Sequence, residues 1–364
     1  MKTCFSLFTL LAFMTGCMPS VSAAWEVINL HPAGSTNSYA YGVSNGQQAG
    51  YADFGGISHA ALWSGTAASF VDLHPARAYS SRLFNVFEGE QAGWIFYSYA
   101  TRHAGLWRGT AASFVDLHPS GSSNSELWAT SQGKQVGYVK IGDVDHAGLW
   151  SGTAASFVDL HPAGAYASHA LGVFGSQQVG RVRFGNEWYA ALWSGTADSY
   201  VNLSPANSTG ESCAFGVSDG EQVGWATFKR KHAGLWRGTA ASFVDLHPAG
   251  YMDSYACRNA KGWQAGYAVT NGKSHAGVWN GTADSWVDLH SLLDAHYTDS
   301  IARGIDVQGT HIWVAGYAYN STAGRYEAML WHNVVPEASS FVALGAGILS
   351  IAGALRRKRT SAPD

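Results

Sequence analysis

The chain has 364 residues, with 22 basic and 25 acidic side chains and a net charge of −3. It therefore carries no broad basic field, which excludes nucleic acid as a partner. Charged residues make up only 13 %, against 43 glycines and 15 tryptophans. That balance suits short strands, tight turns and aromatic packing better than long solvated helices.

Residues 1–23 read as a secretory leader. Lys2 supplies the positive start, Phe5–Met14 the apolar stretch and Val21-Ser22-Ala23 the small-residue cleavage site. Met14-Thr15-Gly16-Cys17 offers a competing reading, a lipid-attachment box on Cys17.

Residues 24–333 are one unit copied seven times. GTAASFVDLHP occurs unchanged from Gly65, Gly109, Gly152 and Gly238, and a His-Ala-x-Leu-Trp motif starts at His59, His103, His146 and His232, with a valine variant at His275. Weaker copies start at Tyr189 and Glu327. The period of about 43 residues is that of a four-stranded propeller blade. In the first unit strand a is Ser38–Ser44, strand b Gln47–Phe54, strand c His59–Ser64 and strand d Phe70–His74. Asn45-Gly46 makes the a–b hairpin turn, glycine supplying positive φ. Each strand b carries a glycine (Gly50, Gly93, Gly137, Gly180, Gly224, Gly266 and Gly316) of the kind that marks close approach of another backbone.

The ends of the array decide its shape. Trp25–Pro32 is a strand d with nothing before it, and Glu327–His332 is a strand c with nothing after it. The first supplies what the last lacks, so the expected fold is all-β: a seven-bladed β-propeller closed by pairing of the N-terminal strand with the C-terminal blade. An open solenoid would instead need atypical caps. The repeat region, residues 25–333, resembles the extracellular HAF-repeat family in its His-Ala, Leu-Trp and Asp-Leu elements. The resemblance implies a secreted repeat protein and no particular activity.

Five units carry a His, Asp, His set: His59, Asp72 and His74; His103, Asp116 and His118; His146, Asp159 and His161; His232, Asp245 and His247; His275, Asp288 and His290. A four-residue connection at Gly65–Ala68 sets Trp63 opposite Phe70, Ala61 opposite Asp72 and His59 opposite His74, all on one blade face. One unit replaces the whole set with Tyr189, Asn202 and Ser204, and the seam unit has Glu327, Asn29 and His31. Residues that change together are expected to touch. Near-identical copies favour a structural latch joining c to d over a metal site in each blade, although two imidazoles and a carboxylate are adequate ligands. The strand-c tryptophans Trp63, Trp107, Trp150, Trp193, Trp236, Trp279 and Trp331 are expected to wedge between blades.

No nucleophile elbow, paired-carboxylate site or activated cysteine is found, and no cofactor is expected. Asp143, Asp145 and Glu187 read as solvated loop charges, and Cys213 and Cys257 as buried small residues rather than a disulfide. Variation gathers in the d–a loops (Tyr79, Tyr166, Tyr251, 292–299) and the b–c loops (Tyr97, Trp188, Lys229-Arg230-Lys231). Their aromatics suit sugar stacking as well as ordinary packing.

Residues 334–364 form a tail. Val335, Pro336 and Glu337 are followed by an apolar stretch, Phe341–Leu355, and then by Arg356, Arg357, Lys358 and Arg359. Fifteen helical residues reach about 22 Å, short of a roughly 30 Å hydrocarbon core, and the basic cluster would stay cytoplasmic. A short permanent anchor is the plain alternative. The three-part pattern resembles the PEP-CTERM sorting signal of Gram-negative bacteria, with Ala338 where a second proline is usual. The resemblance implies an exosortase-type enzyme as partner and transient membrane attachment. The expectation is an exported, non-enzymatic envelope or matrix protein binding a surface polysaccharide or protein. The alternatives are a glycan-processing propeller enzyme and a metal-holding propeller.

Overall fold

The computed structural model describes residues 25–98 and 101–335. The described strands form seven four-stranded antiparallel sheets, and the seventh combines Glu26–Asn29 with Tyr297–Gln308, His311–Asn320 and Arg325–Val334. Glu26 lies opposite His332 and Asn29 opposite Met329, so the two ends of the array complete one blade as expected. The leader, Cys17 and the tail from Pro336 onward lie outside the described residues. Among the described residues no helix is long and apolar enough to cross a membrane.

The first blade shows the local logic. Its strands are Asn37–Ser44, Gln47–Phe54, Ile57–Trp63 and Val71–Asp72. Asn45 (φ 48°) and Gly46 (φ 76°) both adopt positive φ, as a two-residue hairpin turn of the type I′ kind requires. The c–d register is the expected one, with Ala61 opposite Asp72 and Leu62 opposite Val71. The connection is longer than four residues, because Ala67–Ser69 coil into a 3-10 turn. The Ser69 hydroxyl accepts the Ser64 N–H at 2.8 Å and donates to the Thr66 carbonyl at 2.6 Å. Strand d is accordingly only two residues long and ends before Pro75, which has no N–H to give.

Each strand a contains a β-bulge at the equivalent place, at Tyr41, Phe84, Trp128, Leu171, Phe215, Cys257 and Arg303. The bulge explains the strand-b glycines. A Cβ on Gly50 would sit 1.8 Å from the Tyr39 carbonyl oxygen, and one on Gly137 would sit 1.7 Å from that of Glu126. Only glycine fits beneath the displaced strand.

The core lies between blades. Ala60, Leu62 and Leu73 on one face of the first blade pack against Trp107 and Leu83 of the second. Leu30, Ala328 and Leu330 close the ring against Trp63 of the first. All seven strand-c tryptophans are fully buried. The Trp107 indole N–H donates to the Leu73 carbonyl at 3.0 Å, while the six others lack an acceptor in hydrogen-bond geometry.

Candidate functional site

The histidine sets assemble as neighbours. His59 Nδ1–H donates to Asp72 Oδ2 at 2.7 Å, and Asp72 Oδ1 accepts the His74 backbone N–H at 2.8 Å. The two imidazoles stack with centroids 4.2 Å apart. The same His–Asp contacts, at 2.7–2.8 Å, recur at His103–Asp116, His146–Asp159, His232–Asp245 and His275–Asp288. His118, His161, His247 and His290 take the place of His74, each with its N–H on the matching aspartate. Stacked rings direct their in-plane lone pairs side by side, not toward a common point. Among the described residues no group of three such side chains is placed to hold a metal ion.

The network also reaches the following blade, which the sequence reading did not foresee. Ser81 of the next strand a contacts His74 Nδ1 at 2.8 Å and accepts the Ala60 N–H at 2.9 Å. Ser125, Ser168, Ser254 and Ser300 do the same for their preceding blades, and Ser38 closes the seam with His31 and Ala328. Each of these serines is buried. The two departing units keep the backbone bond, from Ser204 to Asn202 and from His31 to Asn29. At the seam the polarity reverses: Asn29 Nδ2 donates to Glu327, which also receives Tyr297 and Arg325, each at 2.7 Å.

Unlike residues meet elsewhere, around the central axis. The seven bulged side chains all line one funnel of about 320 Å³, on the face of the d–a and b–c loops. Above them sit cross-strand pairs: Tyr39 with Tyr51, Arg82 with Trp94, Glu126 with Tyr138, His169 with Arg181, Cys213 with Trp225, Tyr255 with Tyr267 and Ile301 with Tyr317. The strand-b member is aromatic in every blade but one. Aromatic rings continue round the floor, with Tyr41 edge-on to Phe84 at 5.3 Å and Phe84 stacked on Trp128 at 4.5 Å. Cations lie on these faces: Arg82 is 4.3 Å from the Tyr51 centroid, Arg181 is 4.2 Å from Trp188, and Lys231 is 4.5 Å from Trp225.

The floor is sealed by Arg258. Its guanidinium donates to the carbonyls of Phe215 at 2.7 Å and Cys257 at 3.0 Å, and reaches those of Leu171 at 3.3 Å and Trp128 at 3.5 Å. These carbonyls come from four successive bulges, so one side chain spans the channel. It also borders a second hollow of about 340 Å³ on the opposite face, ringed by the a–b turns.

Several loop residues singled out from sequence fall beside this funnel. Trp188 backs the lining residue Arg181, and Lys231 lies over Trp225 of a cross-strand pair. Tyr251 instead packs outward, its hydroxyl donating to Asp288 at 3.1 Å. Tyr79, Tyr97 and Tyr166 are exposed on the same face. Asp145 is not the solvated loop charge expected. It accepts the His169 Nε2–H at 3.1 Å, and that bond holds its carboxyl below the usual value. Cys213 and Cys257 are free and buried, burial pushing the Cys213 thiol up to about 12. The funnel pairs were missed because they vary among the repeats. Aligning the units on the strand-b glycine and reading the next residue would have exposed them.

No family model matches the chain, and comparison with curated proteins finds no match. Among solved structures, puromycin hydrolase aligns over 80 % of this chain and 53 % of its own, with TM-score 0.54 and 14 % identity. The β-propeller domain of the Trilobed protease from Pyrococcus furiosus aligns over 83 % and 97 %, with TM-score 0.53 and 7 % identity. A puromycin-hydrolyzing peptidase of Mycobacterium tuberculosis aligns over 80 % and 52 %, with TM-score 0.53 and 12 % identity. The chain thus spans about half the length of the puromycin-hydrolysing proteins it resembles. At these identities the likeness is one of fold.

Proposed function

We propose that this is an exported, non-enzymatic propeller of the cell envelope or extracellular matrix that binds surface glycans through the axial funnel. Export and sorting rest on the leader and on the PEP-CTERM-like tail from Val335 to Arg359, and the HAF-like repeats fit an extracellular setting. One observation carries the binding role: aromatic faces and four arginines dominate the lining of a concave mouth on the axis that Arg258 closes behind. Rigid aromatic surfaces flanked by polar groups are what a sugar ring needs for stacking and orientation. The one carboxylate in the funnel lining, Glu126, is engaged by Arg102, and Asp145 behind it by His169. Neither is left free as an acid or base for glycan cleavage.

A glycan array probed with the mature protein tests this, alongside chromatography of the bound glycans. The expected result is retention of a defined glycan set without product, weakened roughly tenfold by Trp188→Ala, which removes a partly exposed stacking face. Absence of any retained glycan, or retention indifferent to Trp188→Ala, would sink the binding role. Product formation would turn the reading toward an enzyme.

A further inference from the structure

We propose that the funnel floor is a carboxylate seat centred on Arg303, so that the ligand is an acidic glycan presenting a uronic acid. The inference rests on reading the funnel as a glycan site and adds the charge of what enters it.

The chain as a whole carries a net charge of −3, yet the funnel lining has four arginines against one carboxylate, and Arg102 already occupies that carboxylate. Arg258 and Arg303 are neighbours: Arg258 donates to the Cys257 carbonyl, and Arg303 Nη1 contacts the Cys257 thiol at 3.8 Å. Among the described residues neither forms an ion pair with an acid. Arg258 spends its donors on four carbonyl oxygens, so its charge is fixed in place but not neutralised. Burial pulls its guanidinium down to about 10, and the like charge of Arg303 acts in the same direction. Arg303 has donors to spare. Its Nη2 donates to the Tyr317 hydroxyl at 3.2 Å, its one other hydrogen-bond partner among the described residues is the weak thiol acceptor, and its Nε has none. The Trp128 indole N–H, on the same floor, also lacks an acceptor.

A guanidinium that lines the cavity, faces a second positive charge and lacks an acid lowers its energy by taking an anion. A carboxylate matches its planar fork through two parallel hydrogen bonds. The rings of Tyr41, Tyr267 and Tyr317 each have their centroids 5.7–5.9 Å from the Arg303 guanidinium carbon, leaving apolar faces beside the seat. That combination suits a sugar ring bearing the carboxylate better than a bare inorganic anion.

Calorimetric titration of the protein with a glucuronic-acid-terminated disaccharide and with its neutral methyl ester tests this, with two Arg303 variants alongside. The expected result is binding of the acid at least tenfold tighter than the ester, a margin that narrows in Arg303→Gln and is partly kept in Arg303→Lys. Equal binding of acid and ester would overturn the carboxylate seat and leave the glycan reading standing. Binding of neither, with an acidic peptide binding instead, would overturn both.

Discussion

A serine hydroxyl has one proton to give, and the position of that proton fixes the charge of the inter-blade network. The Ala78 carbonyl, 3.0 Å from His74 Nε2, can only accept, so Nε2 carries the ring proton, and His74 Nδ1 takes the otherwise unpartnered proton of the buried Ser81 hydroxyl, whose oxygen accepts the Ala60 N–H. His74 is therefore held neutral. Burial lowers its pKa, as it does for His31, His118, His161, His247 and His290. A base with a depressed folded-state pKa leaves the unfolded chain binding more protons as acidity rises. Its contribution is complete above the unfolded value of 6.5 and is lost as pH falls below it. Six such groups act in the same direction, so thermal melts between pH 8 and pH 5 should show a stability plateau above about 7 and a steep fall below 6.5. A melting temperature flat across that window would contradict the tautomer assignment. Replacing one hydroxyl is a second check. Ser168→Ala strands His161 Nδ1 and the Ala147 N–H, and urea unfolding should show a loss of about 1–3 kcal/mol.

Strand pairing was largely legible from the repeats, because a slip of one residue would carry His59 onto the face of Leu62 and Leu73. The serines were not read, although the signal was present: each follows the second histidine of its set by seven residues in most units, as Ser81 follows His74 and Ser168 follows His161. It was overlooked because the partner belongs to the next unit. The bulge leaves a different trace, the glycine of strand b. Gly137→Ala places a methyl where the Glu126 carbonyl already stands, and the rigid pair cannot yield as a flexible side chain would. Urea unfolding should register a loss of about 1–3 kcal/mol or more. A neutral outcome would mean that strand a can shift away, and the funnel wall with it. The edge strands need no such device, since two-residue strands such as Val71–Asp72 offer little template for a stray chain despite exposed valines.

At the level of the whole molecule, closure depends on Glu26–Asn29 completing the last sheet. Deleting residues 25–30 should expose the Arg325–Val334 edge and strip the Leu30 contacts from the seam. The expected outcome is a large drop in melting temperature together with self-association in light scattering; an unchanged melt would contradict the closed ring. The ring also sets two groups apart among the 15 tryptophans. Seven are wedges between blades, whereas Trp128 lines the funnel and Trp94, Trp188 and Trp225 pack on its lining residues Arg102, Arg181 and Leu171. Indole-labelled NMR during titration with an acidic oligosaccharide separates them most directly. The funnel indoles should shift and the seven wedge indoles should stay still; shifts confined to tryptophans away from the axis would place the ligand elsewhere and contradict the axial funnel as the binding site.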